Sequence, residues 1–303
     1  MTQQRKRQWS LRLMANIIAN LLLLPVYSVL FILCTIIAVS PLFPARTARE
    51  NFKKRLQLTP VGVILATSAT LFHYLILLFE DFIFWPLGLM NVKDNPNVRK
   101  HFIQASFQAK KKSAGIVILS GHFGNIEFAS QCIADLLSEQ ISPQSPLIAL
   151  AKPSRSDWMT QLLLWYRNRR GLDVLLTHRK DLVKAILMAL KQQRALALLI
   201  DQKPATGGRF FNFFGTPSAF PDGGIEIALR AKADFVFFAS RRIWPGFLTV
   251  EGLVYECSEQ EKNDVNRLLT AFVQWLESLI RLSPWQWCWD YRKWSRQPPK
   301  DIV

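Results

Sequence analysis

Between residues 115 and 282 the chain alternates short apolar runs with longer amphipathic ones, and this alternation limits the fold more than any other feature. Residues 115–119, 147–151, 173–176, 195–200, 235–240 and 247–253 read as strands. Residues 125–139, 156–169, 180–193, 225–232 and 263–282 read as helices; in the first of these Ala129, Cys132, Ile133, Leu136 and Leu137 share one face. A β-α-β-α order predicts an α/β fold, with a mostly parallel sheet, right-handed crossovers and helices on both faces. Ligands in such sheets bind beyond the carboxyl ends of the strands. His122, Lys152 and Asp201 each directly follow a predicted strand, so they are expected to line one mouth. Residues 201–224 read as a long loop. Its Phe210, Phe211, Phe213 and Phe214 are expected to pack on the core, with an acyl-chain groove as the alternative.

Ahead of this region lies a run without a single charge, Leu13 to Val39. It is long enough to cross roughly 30 Å of hydrocarbon at about 1.5 Å per helical residue. Its length, and its closure by Ser40-Pro41-Leu42-Phe43-Pro44, argue against a cleavable signal peptide. Basic residues flank both ends, and the larger cluster at Arg46, Arg49, Lys53, Lys54 and Arg55 favours a cytoplasmic main domain. A re-entrant or obliquely inserted helix is the rival reading. Residues 61–90 are also apolar, but His73, Glu80 and Asp81 interrupt them; acids are costly in lipid, so this stretch reads as helix packed on the domain or lying at the interface.

The formal net charge of +16 asks for a negative partner, either anionic lipid, nucleic acid, or an acidic protein or substrate. Recognised nucleic-acid motifs are absent, so charge alone does not carry the second of these. The Lys110-Lys111-Lys112 run reads as solvated charge. Cys34, Cys132, Cys257 and Cys288 are widely spaced, without a CxxC pair, so neither a zinc site nor a disulfide scaffold is expected. Reduced cysteines suit a cytoplasmic face.

The chemistry concentrates in Ser120-Gly121-His122-Phe123-Gly124-Asn125-Ile126-Glu127. A histidine that ends a strand and a glutamate in the first turn of the next helix can meet across the turn, giving a general base with an orienting carboxylate. Asn125 is the expected N-cap, which places Glu127 where the helix dipole favours its charged form. No serine elbow, zinc signature or phosphate loop competes. Arg167, Arg169 and Arg170 end a helix, where they complement its dipole; three arginines exceed that need, so an oxyanion or phosphate role stands beside it. Asp201 and Gln202 end a buried strand and either bind substrate or cap the turn. Trp285, Trp287, Trp289, Tyr291 and Trp294, interleaved with Arg292, Lys293 and Arg296, are expected at a bilayer interface.

Taken together, these segments resemble the late acyltransferases of lipid A biosynthesis, of the lauroyl/myristoyl type, within the lysophospholipid acyltransferase superfamily. The resemblance runs from about Leu13 to Pro298. Gly121-His122-Phe123-Gly124-Asn125-Ile126-Glu127 is similar to the family's His-x4-Asp/Glu signature, with Ile126 where a Trp often stands. Arg167-Asn168-Arg169, Arg179-Lys180-Asp181-Leu182, Asp201-Gln202, Phe213-Phe214-Gly215-Thr216-Pro217 and the aromatic stretch 285–294 resemble further family segments. The sequence departs from the family at Lys152-Pro153-Ser154, where Asn-Pro is often found, and at residues 205–208.

The resemblance implies transfer of a fatty acyl group from an acyl carrier protein thioester to a hydroxyl of a lipid A precursor at the bacterial inner membrane, with the catalytic domain on the cytoplasmic side. Its implied catalytic residues are His122, Glu127 and Arg167; Arg169, Arg170, Lys152, Asp201 and Gln202 would bind substrate. It implies no metal, cofactor or nucleic acid. The chain is expected to divide into an anchor (1–45), a helical interface-associated region (46–112) and an α/β acyltransferase domain (113–303). Two other readings remain: acylation of another amphiphile (a phospholipid, aminolipid or pigment lipid), and a non-catalytic basic membrane protein that binds anionic lipid or nucleic acid.

Overall fold

A computed structural model describes residues 3–93, 95–100, 104–105, 114–140, 147–154, 156–255 and 264–299. The lysines at 110–112, His101, Cys257 and the 112/113 boundary lie outside the described residues. Three helices come first: α1 (Gln3–Val39), α2 (Ala45–Leu56) and α3 (Pro60–Phe79). Next come β1 (Asn91–Lys93), β2 (Ile116–Ser120), α4 (Ile126–Gln140), β3 (Leu147–Ala151), α5 (Asp157–Asn168), β4 (Leu172–Leu176), α6 (Leu182–Lys191) and β5 (Ala195–Leu199). A hairpin of β6 (Arg209–Phe213) and β7 (Thr216–Phe220) follows, then α7 (Gly223–Arg230), β8 (Asp234–Trp244), β9 (Phe247–Tyr255) and α8 (Val265–Leu282).

Seven strands form one sheet in the order β1-β9-β8-β2-β5-β3-β4, and every pairing is parallel except β8 with β9. The expected mostly parallel α/β fold is therefore the observed one. β2 is central, and its side chains alternate between two cores as a strand's period of two requires. Val117 and Leu119 enter one cluster with α6, α7 and α8. Ile116 and Ile118 enter the other with Ala129, Ile133 and Leu137 of α4. α8 shows how sequence sets such packing. Asp264 caps its N-terminus, accepting from the N–H groups of Asn266 (2.8 Å) and Arg267 (3.2 Å), and Leu268, Leu269, Phe272, Val273, Leu276 and Ile280 form its buried stripe.

One seam in the sheet is short. β2 pairs with β5 as far as Ser120 opposite Leu199, and β3 with β4 as far as Ala151 opposite Leu176. Between them, β3 and β5 pair only at Ile148–Leu196 and Ala149–Ala197, so the two strands part toward their carboxyl ends.

Over Arg7–Val39, α1 is long and apolar enough to cross a membrane, as is the stretch Pro60–Phe84. α1 buries one narrow face, at Asn16, Tyr27, Cys34 and Ala38, and leaves the rest bare: Leu22 is 75 % exposed. Its bare apolar face fits the expected membrane anchor. Tyr27 meets Phe72 of α3 edge-on, so α1 and α3 pack together. On its other side α3 joins the domain, where Arg242 of β8 forks onto Glu80 (Nε to Oε1 2.7 Å, Nη2 to Oε2 2.6 Å) and contacts the ring of His73. Glu80 is fully buried, and it also accepts from the Gly246 N–H (2.9 Å). The acid that interrupts this apolar stretch is thus paired inside the protein, in keeping with a helix packed on the domain.

Two expectations about the aromatic segments need correction. Part of the 201–224 loop is the β6–β7 hairpin, whose turn residues Phe214 and Gly215 both have positive φ (52° and 70°), the geometry of a type I′ turn. The tryptophan tail is core. Trp287 and Trp289 are fully buried, Trp294 stacks on Phe213 at 5.8 Å, and Phe52 of α2 lies 4.6 Å from Trp289. Even Lys293 is enclosed, donating to the Ala219 carbonyl (2.6 Å) over the ring of Phe220. Of the four tail tryptophans only Trp285 is exposed. The expected bilayer position fails because the β6–β7 phenylalanines supply an apolar partner for these rings, which lowers the free energy more than the interface does.

Candidate active site

The carboxyl end of β2 turns sharply into α4. Gly124 has φ +66°, and a Cβ there would fall 1.7 Å from the Ser240 carbonyl oxygen, so only glycine fits. Asn125 caps α4 as expected, accepting from the Phe128 N–H at 2.9 Å. Between these constraints His122 is held just beyond the carboxyl end of the central strand, its side chain 32 % exposed.

The partner of His122 differs from the one expected. Its Nδ1 lies 2.7 Å from Asp201 Oδ1, and its main-chain N–H donates to Asp201 Oδ2 at 2.8 Å. Glu127 faces Arg167 instead, accepting from its Nε (3.1 and 3.2 Å) and its Nη2 (2.5 Å). The cause is strand register. β2 and β5 run parallel with Ser120 opposite Leu199, so the second residue beyond each is also level: His122 and Asp201. Asp201 is fully buried and also accepts from Trp287 Nε1 at 2.8 Å. Trp287 is held in place by a bridge to Phe123.

These contacts set the electrostatics. Burial alone would push the Asp201 carboxyl up, but the charge of His122 and the hydrogen bonds from its ring, its N–H and Trp287 bring it down to about 2. Burial disfavours the imidazolium of His122; the charge and hydrogen bond of Asp201 outweigh burial and the opposing charge of Arg167, and leave its pKa raised. With Asp201 accepting the hydrogen bond of Nδ1–H, Nε2 is the ring's acceptor, and Gln202 Nε2 stands 3.4 Å from it.

His122 lines a cavity of about 520 Å³ together with Glu127, Lys152, Arg167 and Gln202. Apolar side chains complete it, among them Ile133, Ala149, Leu163, Leu172, Ile225 and Phe238. The size is that of a pocket for a small molecule or chain. The parting of β3 and β5 supplies its width, because Ala149, Leu150 and Ala151 line one side and Ala197, Leu198 and Leu199 the other.

Of the residues singled out from the sequence, His122, Glu127, Arg167, Lys152 and Gln202 meet in this cavity, and Asp201 supports it from behind. Arg169 and Arg170 are not part of its lining. Arg169 lies over the Trp165 ring at 4.9 Å; Arg170 is clasped between Trp85 (3.3 Å) and Tyr166 (3.7 Å), where burial lowers its pKa. Two supporting side chains were not expected at the site: Trp287, assigned from the sequence to a bilayer interface, secures Asp201, and the Ser240 hydroxyl accepts from the Asn125 N–H (3.1 Å) and donates to the Asn125 carbonyl (2.8 Å). The register that joins β2 to β5 has no local signal in either segment.

His122, Asp201 and Cys288 each place a potential ligand atom within 4.8 Å of one another. The donor set does not fit a divalent cation: both Asp201 oxygens already accept hydrogen bonds, and burial, then the charge of Asp201, lifts the Cys288 thiol well above its usual range.

No curated protein matches the chain in sequence. The sequence pattern of the family described as bacterial lipid A biosynthesis acyltransferase matches residues 101–296, which include the β2–α4 turn, the cavity and most of the aromatic core. With more than half of its length matched and this fold beneath it, the chain belongs to the bacterial lipid A biosynthesis acyltransferase family.

Proposed function

We propose that this protein moves a fatty acyl chain from an acyl carrier protein thioester to a hydroxyl of a lipid A precursor, as the lauroyl/myristoyl type does, on the cytoplasmic side of the inner membrane. The observation that carries the reading is His122, paired with the buried Asp201, at a mostly apolar cavity. His122 Nε2 takes the proton of the acceptor hydroxyl as its oxygen attacks the thioester carbonyl; Asp201 holds the tautomer and stabilises the imidazolium. Collapse of the tetrahedral intermediate breaks the carbon–sulfur bond, and the leaving thiolate takes the proton from His122. Ester and free carrier thiol result, with no covalent enzyme intermediate.

Arg167 is the candidate for the oxyanion. Glu127 occupies its Nε and Nη2, and Nη1 has no hydrogen-bond partner among the described residues. Glu127 then acts on catalysis by positioning Arg167. Lys152 and Gln202 bind substrate, while the apolar lining takes the chain. The net charge of +16 suits both an acidic carrier protein and a phosphorylated glycolipid. The proposed division into anchor (1–45), helical region (46–112) and catalytic domain (113–303) follows the same logic.

Mass spectrometry of the lipids from cells with and without the gene tests the reading: a lipid A species should lose the mass of one acyl chain. Unchanged lipid A with a mass loss in a phospholipid, aminolipid or pigment lipid would move the acceptor. Unchanged lipids throughout would favour a non-catalytic role.

A further inference from the structure

Helix α5 is apolar on two sides. Leu163 and Arg167 line the cavity, while Trp158, Leu162 and Trp165, spaced i, i+4 and i+7 and so on one face, are 66 %, 47 % and 55 % exposed. Large contiguous apolar surface on a folded protein marks an interaction site. This stripe joins the surface that leads to the anchor. Tyr166 of α5 meets Phe82 at 5.9 Å between ring centres, and Phe82 and Leu87 are themselves 65 % and 67 % exposed. Arg170, one turn beyond, lies on Trp85, which packs in one cluster with Leu23 of α1. The segment around residues 80–89 therefore ties the outer face of α5 to the helix that anchors the protein.

The chemistry of the stripe selects its partner. Tryptophans beside cations favour the boundary of lipid headgroups and acyl chains, where the ring body is shielded and its N–H stays wet. Arg169 lies over Trp165, which sets its charge at the rim of the stripe, where an anionic headgroup would meet it. We propose that the outer face of α5, together with Phe82 and Leu87, inserts into the headgroup–acyl boundary of the membrane in which α1 is anchored. α5 then forms a wall between bilayer and cavity, and a lipid acceptor reaches Arg167 without leaving the membrane surface.

The full chain is reconstituted in vesicles of a zwitterionic and an anionic phospholipid, with the photoreactive substitution Trp158→p-benzoylphenylalanine. A Gln274→p-benzoylphenylalanine variant, on the exposed side of α8, serves as control. Irradiation should yield a phospholipid adduct at position 158 at least about tenfold more abundant than at 274. Equal lipid labelling at the two positions, or adducts at 158 formed with added acyl carrier protein or a second copy of the chain in place of lipid, would overturn the proposal. The readout needs no turnover, so its failure is distinct from failure of the acyl-transfer reading.

Discussion

At the scale of single residues, Asp201 separates the present site from a histidine–glutamate pair. Asp201→Asn removes the charge that raises the His122 pKa and frees the Nδ1 proton to be lost. We expect kcat to fall roughly 10²–10⁴-fold, and the acidic limb of the pH–rate profile to move to lower pH, because a general base works only once deprotonated. An unmoved limb would count against Asp201 as the partner. For Glu127 the decisive measurement is a double-mutant cycle. Arg167→Ala should cost about 2.7–4 kcal/mol in the barrier, as for loss of an oxyanion donor. Glu127→Ala should add little on top of it, since both act through one guanidinium. Full additivity would place Glu127 in an independent role. Lys293 gives a stability test. Burial pushes its pKa down to about 7, against an ordinary value of 10.5. Between those values the unfolded chain binds the proton and the folded one does not, so this group makes stability rise with pH, by about 1.4 kcal/mol per unit. Thermal unfolding of Lys293→Met from pH 7 to 10 should lack this contribution; an identical pH dependence in both proteins would contradict it.

At the scale of elements, the β2–α4 turn is the most constrained joint. Gly124→Ala forces a Cβ onto the Ser240 carbonyl and a side chain into positive φ, so we expect a loss of at least about 1–3 kcal/mol on denaturant unfolding, with activity lost as His122 shifts. The strands and helices of this region were legible in sequence because their periodicities are local. Leu147–Ala151 was read to the residue, and most other elements to within a few. The mouth lined by His122 and Lys152, with Asp201 behind His122, was legible too, since it follows from strand polarity. Which acid meets the histidine was not. Glu127 is five residues away along the chain, whereas Asp201 becomes level with His122 only because β5, the third strand after β2 in sequence, lies beside β2 in the sheet. The tail's place in the core is hidden from the sequence for a related reason. Its alternating tryptophans and cations look interfacial until the β6–β7 hairpin, invisible as strand in a Phe-rich loop, provides the rings they pack on.

At the scale of the whole molecule, one buried ion pair joins the N-terminal helices to the sheet. Glu80 binds Arg242 and the Asn125 side chain (3.0 Å), one residue from α4. Glu80→Ala leaves that guanidinium buried without its partner, so we expect a loss of about 3–5 kcal/mol, read as a lower unfolding temperature in detergent. An unchanged temperature would mean that the helices and the domain are not joined there. The unfinished seam between β3 and β5 has a consequence of another kind. Where two strands stop pairing, each turns an edge of peptide groups toward the gap, and here the gap is the cavity. Part of the wall is thus written in main chain, which no side-chain substitution can erase. Divergence among relatives would leave that rail in place and act on the side chains around it. The fold could then keep its reaction while exchanging the chains it accepts.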